Sequence, residues 1–128
     1  PADADETTVC WKLAMENVET PTALIFSRQG IAKLPEGTDY EQAAKGAYIV
    51  AGSDENPDVI LVASGSEVST LEAGCDALRA DGIKVRVVSA PSEGLFRGQS
   101  KEYQESVLPK NAKIFGMTAG LPVTLEGL

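Results

Sequence analysis

Apolar residues recur at helical spacing along the start of the chain. Cys10, Trp11, Ala14, Met15 and Val18 form one stripe, and Asp3 followed by Glu6 has the spacing of a capping pair. This pattern predicts a helix over residues 3–18, stopped by Pro21. Thr22-Ala-Leu-Ile-Phe-Ser27 is a short apolar run between a proline and polar residues, which predicts a buried strand. From Arg28 to Lys45 the pattern breaks up around Gly30, Pro35 and Gly37, as in a surface connection or interdomain linker.

A second unit starts at Gly46. Ala47-Tyr-Ile-Val50 reads as a strand, residues 52–57 as a turn, and Asp58-Val-Ile-Leu-Val-Ala63 as a more buried strand. Ser64-Gly65-Ser66-Glu67 places a hydroxyl three residues before a carboxylate, a capping box. Val68, Leu71, Cys75 and Leu78 then follow at helical spacing until Asp81-Gly82 ends the helix. Lys84-Val-Arg-Val-Val88 alternates before turning apolar and gives the next strand. Strand, capped helix and strand make a βαβ unit with parallel strands, for which the right-handed crossover is strongly favoured. Two short helices are expected within 92–98 and 103–107, a strand over 112–115, and the start of another helix after Gly120. The fold class is α/β: a three-layer sandwich with a mostly parallel sheet, preceded by a helix-strand segment of a neighbouring α/β domain. An end at Leu128 leaves the last layer of such a sheet thin.

Composition narrows the function classes. With 128 residues, 43% hydrophobic and 23% charged, the chain suits one globular domain or a little more. A net charge of −8, from 11 bases and 19 acids, opposes the counterion release that drives nucleic-acid binding and disfavours anionic membranes. The apolar runs are strand-length, no charged-then-apolar leader is present, and the chain opens on Pro1 without a methionine. The reading is a cytoplasmic protein, taken from a longer polypeptide. The absence of histidine removes the commonest general base and every imidazole-dependent metal site or triad. Cys10 and Cys75 lack metal-type spacing and read as buried reduced thiols. Residues 46–82 carry seven acids and one base, and 83–128 carry six bases and four acids. The two stretches either complement each other or are solvated faces; the second reading is preferred because exposed pairs contribute little.

Few motifs carry chemistry. Ser64-Gly65-Ser66 at a strand-to-helix junction could hold an anion, but neither G-x-G-x-x-G nor G-x-x-x-x-G-K-[ST] is present and capping explains the same residues. Pro91-Ser92-Glu93-Gly94 fails as a nucleophile elbow, because proline replaces the first glycine and no histidine exists to take the proton. Asp54-Glu55 lies in a turn and reads as solvated, which leaves no candidate for acid–base chemistry on a sugar bond. Arg28 is the residue of interest. It follows the predicted strand 22–27, and a polar group at the carboxyl end of a parallel strand faces the crevice where open α/β sheets take ligands. Its guanidinium could grip a phosphate or carboxylate through two parallel hydrogen bonds; the competing reading is a surface or ion-paired arginine.

The succession Pro1-Ala2-Asp3-Ala4, Trp11-Lys12, Pro21-Thr-Ala-Leu-Ile-Phe-Ser-Arg-Gln29, Lys45-Gly-Ala-Tyr48, Val59-Ile-Leu-Val-Ala-Ser-Gly-Ser-Glu-Val68, Gly82-Ile-Lys-Val-Arg-Val-Val-Ser-Ala-Pro-Ser92 and Tyr103-Gln-Glu-Ser-Val-Leu-Pro109 closely resembles transketolase, in order over nearly the whole chain. The resemblance implies that residues 1–45 are the end of the pyrimidine-binding domain plus a linker, and that 46–128 are the first part of the C-terminal domain, which in the family continues beyond this length. It implies a parent homodimer that transfers a two-carbon ketol unit between sugar phosphates, in the pentose phosphate pathway, using thiamine diphosphate and Mg2+ or Ca2+. It assigns the sugar phosphate to Arg28, the arginine of the Ser-Arg-Gln motif. The family's Gly-Asp-Gly…Asn motif, its cofactor-activating glutamate and its active-site histidines have no counterpart here, so no catalytic, cofactor-binding or metal residue is assigned and the chain alone is expected to be inactive. The alternatives are a non-catalytic α/β interaction or dimerisation module, or a subunit of a split or related thiamine enzyme.

Overall fold

The computed structural model describes residues 1–52 and 56–128; residues 53–55, with the Asp54-Glu55 pair and part of the expected turn, lie outside the described residues. Helix α1 (Ala4–Glu16) begins as predicted, with Asp3 Oδ1 accepting the Glu6 N–H at 2.9 Å. Its buried residues are Glu6 and Cys10, one turn apart, and of the predicted stripe only Cys10 is buried. Trp11 and Met15 are 52% and 75% exposed, and Val18 lies beyond the helix end.

The strand expected over residues 22–27 does not form. Ile25 and Phe26 are exposed, and no strand of the sheet pairs with this run. Extended chain becomes a strand only where a neighbour takes its N–H and C=O groups. Phe26 instead stacks on Trp11, ring centroids 6.3 Å apart. Beyond it, a short 3-10 helix (Tyr40–Lys45) leads to Gly46, whose φ of +91° and contact with the Ser92–Phe96 backbone leave no room for a side chain.

The sheet holds β1 (Tyr48–Ala51), β2 (Val59–Ala63), β3 (Val85–Ser89) and β4 (Lys113–Met117) in the order β1-β3-β2-β4. β2 runs parallel to β3 and β4, in unbroken register from Val59↔Val85 to Ala63↔Ser89 and from Val59↔Lys113 to Ala63↔Met117. β1 is antiparallel to β3, so the sheet is mixed but mostly parallel. Successive residues of β2 serve opposite layers. Leu61 and Ala63 pack with Val68, Leu71 and Cys75 of α2 (Glu67–Ala80). Ile60 and Val62 pack with Phe96 of α3 (Glu93–Arg97) and Val107 of α4 (Lys101–Val107). This two-sided demand explains why β2 reads as a continuous apolar run.

Two local details differ from the sequence expectation. The capping box at Ser64–Glu67 is not made: α2 starts from Ser66, whose backbone is already helical, and its hydroxyl donates to Glu67 Oε1 at 3.1 Å. Helix α4 begins two residues earlier than expected, because Ser100 Oγ accepts the Tyr103 N–H. Arg86 in β3 is 3% exposed, and its Nη1 donates to the carbonyls of Ser106 and Val107, capping the end of α4. Among the described residues, Arg79 pairs with Glu72 and Asp76, Arg97 with Glu93, and Lys110 with Glu105. A last turn of helix, α5 (Val123–Glu126), follows the edge strand β4.

Replacing Gly46 by alanine is expected to cost more than ~1 kcal/mol, because a Cβ there meets backbone and not a mobile side chain. A lower urea midpoint at unchanged slope is the expected result, and an unchanged midpoint contradicts this packing.

Candidate functional site

The parallel strands β2, β3 and β4 end together, and the loops leaving them enclose a cavity of about 560 Å³. Its walls include Ser64 and Ser66 after β2, Ser92 after β3 and Thr118 after β4. The fourth side comes from the start of the chain and from Phe26 and Ser27. This is the position at which α/β sheets take ligands, since loops and helix N-termini converge outside the carboxyl ends of the strands. A second cavity of about 550 Å³ lies under β4 and α5, but its lining, with Val62, Leu108, Ile114 and Leu125, is mainly apolar and offers little to orient a polar ligand.

Arg28 follows Ser27 directly. It sits on an exposed bend, and among the described residues no hydrogen bond or ion pair reaches it. Ser27 lines the strand-end cavity; Arg28 stands at its margin and is not part of the wall. The expected route to this place, a strand over 22–27, is replaced by a strap tied to α1. Asn17 Nδ2 donates to the hydroxyls of Thr20 and Thr22, Phe26 stacks on Trp11, and Lys33 pairs with Asp5 at 2.8 Å.

Two carboxylates, one at the N-cap and one in the first turn of α1, hold the strap and the sheet together. Asp3 Oδ2 accepts the Leu34 N–H at 3.0 Å and the Tyr40 hydroxyl at 2.6 Å. Glu6 is fully buried; its Oε1 accepts Tyr48 Oη at 3.0 Å and Ser89 Oγ at 2.6 Å, and its Oε2 accepts the Ala2 N–H. Tyr48 and Ser89 are direct cross-strand partners at the β1–β3 junction, so both hydroxyls reach one point. Burial, then the Glu6 charge and hydrogen bond, push the Tyr48 phenol far above its usual range. Burial also raises Tyr40, with the Asp3 hydrogen bond adding to it. For Asp3 itself burial works upward, but the bonds from Leu34, Tyr40 and Glu6 outweigh it and lower its pKa. Sequence reading found Asp3 and Glu6 only as a capping pair. Their partners lie 31 to 83 residues away, and no local pattern announces them.

Both cysteines are free and buried, as expected, and burial raises both thiols above their usual range. Among the described residues no three His, Cys, Asp or Glu side chains converge to hold a metal ion, and no helix is long and apolar enough to cross a membrane. The residues present do not fit a diphosphate with its metal, and no step through such a group is assigned to them.

The fold and the strand-end cavity define an α/β domain of the kind that meets its ligand at the carboxyl edge of a parallel sheet. Residues 46–128 match the family model described as the transketolase-like TK C-terminal domain, and the chain belongs to that transketolase family. It is 47% identical over 113 residues to the transketolase of Staphylococcus aureus strain MW2, a match covering 87% of this chain and 17% of that protein. The solved transketolase of Leishmania mexicana superposes with a TM-score of 0.90 at 35% identity, over 98% of this chain and 18% of that one. A Pichia stipitis transketolase, solved as a complex with sedoheptulose-7-phosphate, superposes with a TM-score of 0.83 at 42% identity, over 91% and 17%. The chain thus spans less than a fifth of the length of these relatives.

The lowered Asp3 carboxyl implies a contribution to stability that is complete above the usual carboxylate range and is lost as the pH falls through the lowered value. The Leu34 amide resonance is expected to titrate with a midpoint below 3.8, Asp3's ordinary value, and Asp3→Asn should remove that transition. A midpoint above 3.8 contradicts the assignment.

Proposed function

We propose that this chain forms the part of a transketolase that grips the phosphate of the substrate, with Arg28 as the phosphate-binding residue. The observation that carries the reading is Arg28 itself: a guanidinium with no hydrogen bond or ion pair among the described residues, next in sequence to Ser27 in the wall of the strand-end cavity. Guanidinium matches phosphate through parallel hydrogen bonds and keeps its charge at any working pH. A cation left unpaired at a crevice is therefore suited to an anionic ligand. The complex of the Pichia stipitis relative with sedoheptulose-7-phosphate supports a sugar phosphate as that ligand.

In this reading, residues 1–45 close the pyrimidine-binding domain and lead through a linker into the C-terminal domain at 46–128. The parent enzyme acts in the cytoplasm, in the pentose phosphate pathway, as a homodimer. It moves a two-carbon ketol unit from a ketose phosphate to an aldose phosphate. Thiamine diphosphate and its divalent metal, Mg2+ or Ca2+, are held by residues outside these 128. What this chain contributes is orientation: a phosphate anchored at Arg28 fixes the far end of the sugar, and binding energy at that end limits the poses of the reacting end.

In the complete enzyme, Arg28→Ala is expected to raise KM for fructose 6-phosphate by about tenfold or more while leaving that for fructose nearly unchanged, since only the phosphorylated sugar loses a charge-assisted contact. Equal effects on both sugars contradict the phosphate role. The isolated 128-residue chain, supplied with thiamine diphosphate, Mg2+ and sugar phosphates, is expected to show no turnover; measurable turnover overturns the division of labour.

A further inference from the structure

Glu6 is an unusual group to find at the centre of a domain junction. It is fully buried, and three donors converge on it from three places: the Ala2 N–H, the Tyr48 hydroxyl of β1 and the Ser89 hydroxyl of β3. A carboxylate is acceptor-only, so it satisfies all three. A glutamine could take both hydroxyls on its oxygen but would turn its NH2 toward the Ala2 N–H. The site thus selects for an acid and fixes the first turn of α1 on the sheet.

What hangs from α1 is the strap that carries Arg28. Between Asn17 and Leu34 the described backbone makes no hydrogen bond to backbone, and the strap is held by side chains that lead back to α1: Asn17 with Thr20 and Thr22, Trp11 with Phe26, Asp5 with Lys33, and Asp3 with the Leu34 N–H. Without a strand of its own, the Arg28 segment takes its place in space from α1, and Glu6 ties α1 to the sheet.

We propose that Glu6, seated on Tyr48 and Ser89, is the positioning residue for Arg28, and that the C-terminal domain serves substrate binding through these two hydroxyls. Ser89 sits at the carboxyl end of β3, and the loop that follows it, with Ala90 and Ser92, lines the strand-end cavity. One junction therefore registers both sides of the crevice: the loop after β3 directly, and the Arg28 strap through α1. The inference rests on reading Arg28 as the phosphate grip, and its test separates the two.

Tyr48→Phe and Ser89→Ala each remove one hydroxyl donor with little change of shape. Each is made in the complete enzyme, alone and with Arg28→Ala, and KM and kcat are measured with fructose 6-phosphate and with fructose. Either hydroxyl variant is expected to raise KM for fructose 6-phosphate about three- to tenfold with kcat and the fructose parameters nearly unchanged, the effect of misplacing a contact remote from the reacting carbon. In the Arg28→Ala background the same changes should add almost nothing, because residues acting through one contact are not additive. Equal losses with both sugars, or the same KM increase with and without Arg28, assign Glu6 a merely structural role and overturn the proposal. No KM change in either hydroxyl variant, while Arg28→Ala alone separates the two sugars, overturns the positioning role and leaves the phosphate grip standing. If Arg28→Ala fails to separate the sugars, the phosphate grip falls and this inference falls with it.

Discussion

The architecture depends on one buried carboxylate. Burying a carboxylate is costly unless hydrogen bonds replace the water it loses. Glu6 is satisfied by the backbone of Ala2 and by two hydroxyls that the β1–β3 register brings side by side. Neither half of this arrangement stands without the other. Tyr48 and Ser89 are buried polar groups that need an acceptor, and α1 adds only Val9 to the apolar core around the sheet. An amphipathic helix ordinarily docks by a stripe of apolar side chains. Here Trp11 and Met15 of the stripe face outward, and hydrogen bonds at Glu6 tie the helix to one register instead of letting it slide.

The parallel sheet sets where chemistry can happen. β2, β3 and β4 share a direction and end level, as the registers Ala63↔Ser89 and Ala63↔Met117 show. Their loops then surround one cavity, and the strap from α1 closes its remaining side. The domain from Gly46 onward supplies the floor of the crevice, and Tyr48 and Ser89 tie it to α1 through Glu6.

Most of the domain from Gly46 onward was legible in the sequence, because each element there satisfies a local rule and the global fold at once. The run Val59–Ala63 is apolar throughout because both of its faces are covered, and Val68, Leu71 and Cys75 keep helical spacing because α2 buries that face. The first 45 residues were less legible. Trp11, Met15, Ile25 and Phe26 have the pattern of a core, yet no described element covers them, and periodicity cannot say whether a partner surface is present. Arg86 shows the opposite failure. The sequence placed it in a strand without showing where its side chain goes, and the guanidinium is buried against the end of α4. Arg28 itself was found from its neighbours in sequence, although the strand expected to present it is absent. The Glu6 site could not be found that way, since its partners Tyr48 and Ser89 meet it only after the sheet is built.

The most direct test is a crystal structure of the complete enzyme with fructose 6-phosphate bound. The account requires the sugar's phosphate oxygens within hydrogen-bonding distance of the Arg28 guanidinium, with Glu6 still shared by Tyr48 and Ser89 in the same molecule. A phosphate seated on other residues, with Arg28 turned to bulk solvent, would contradict it.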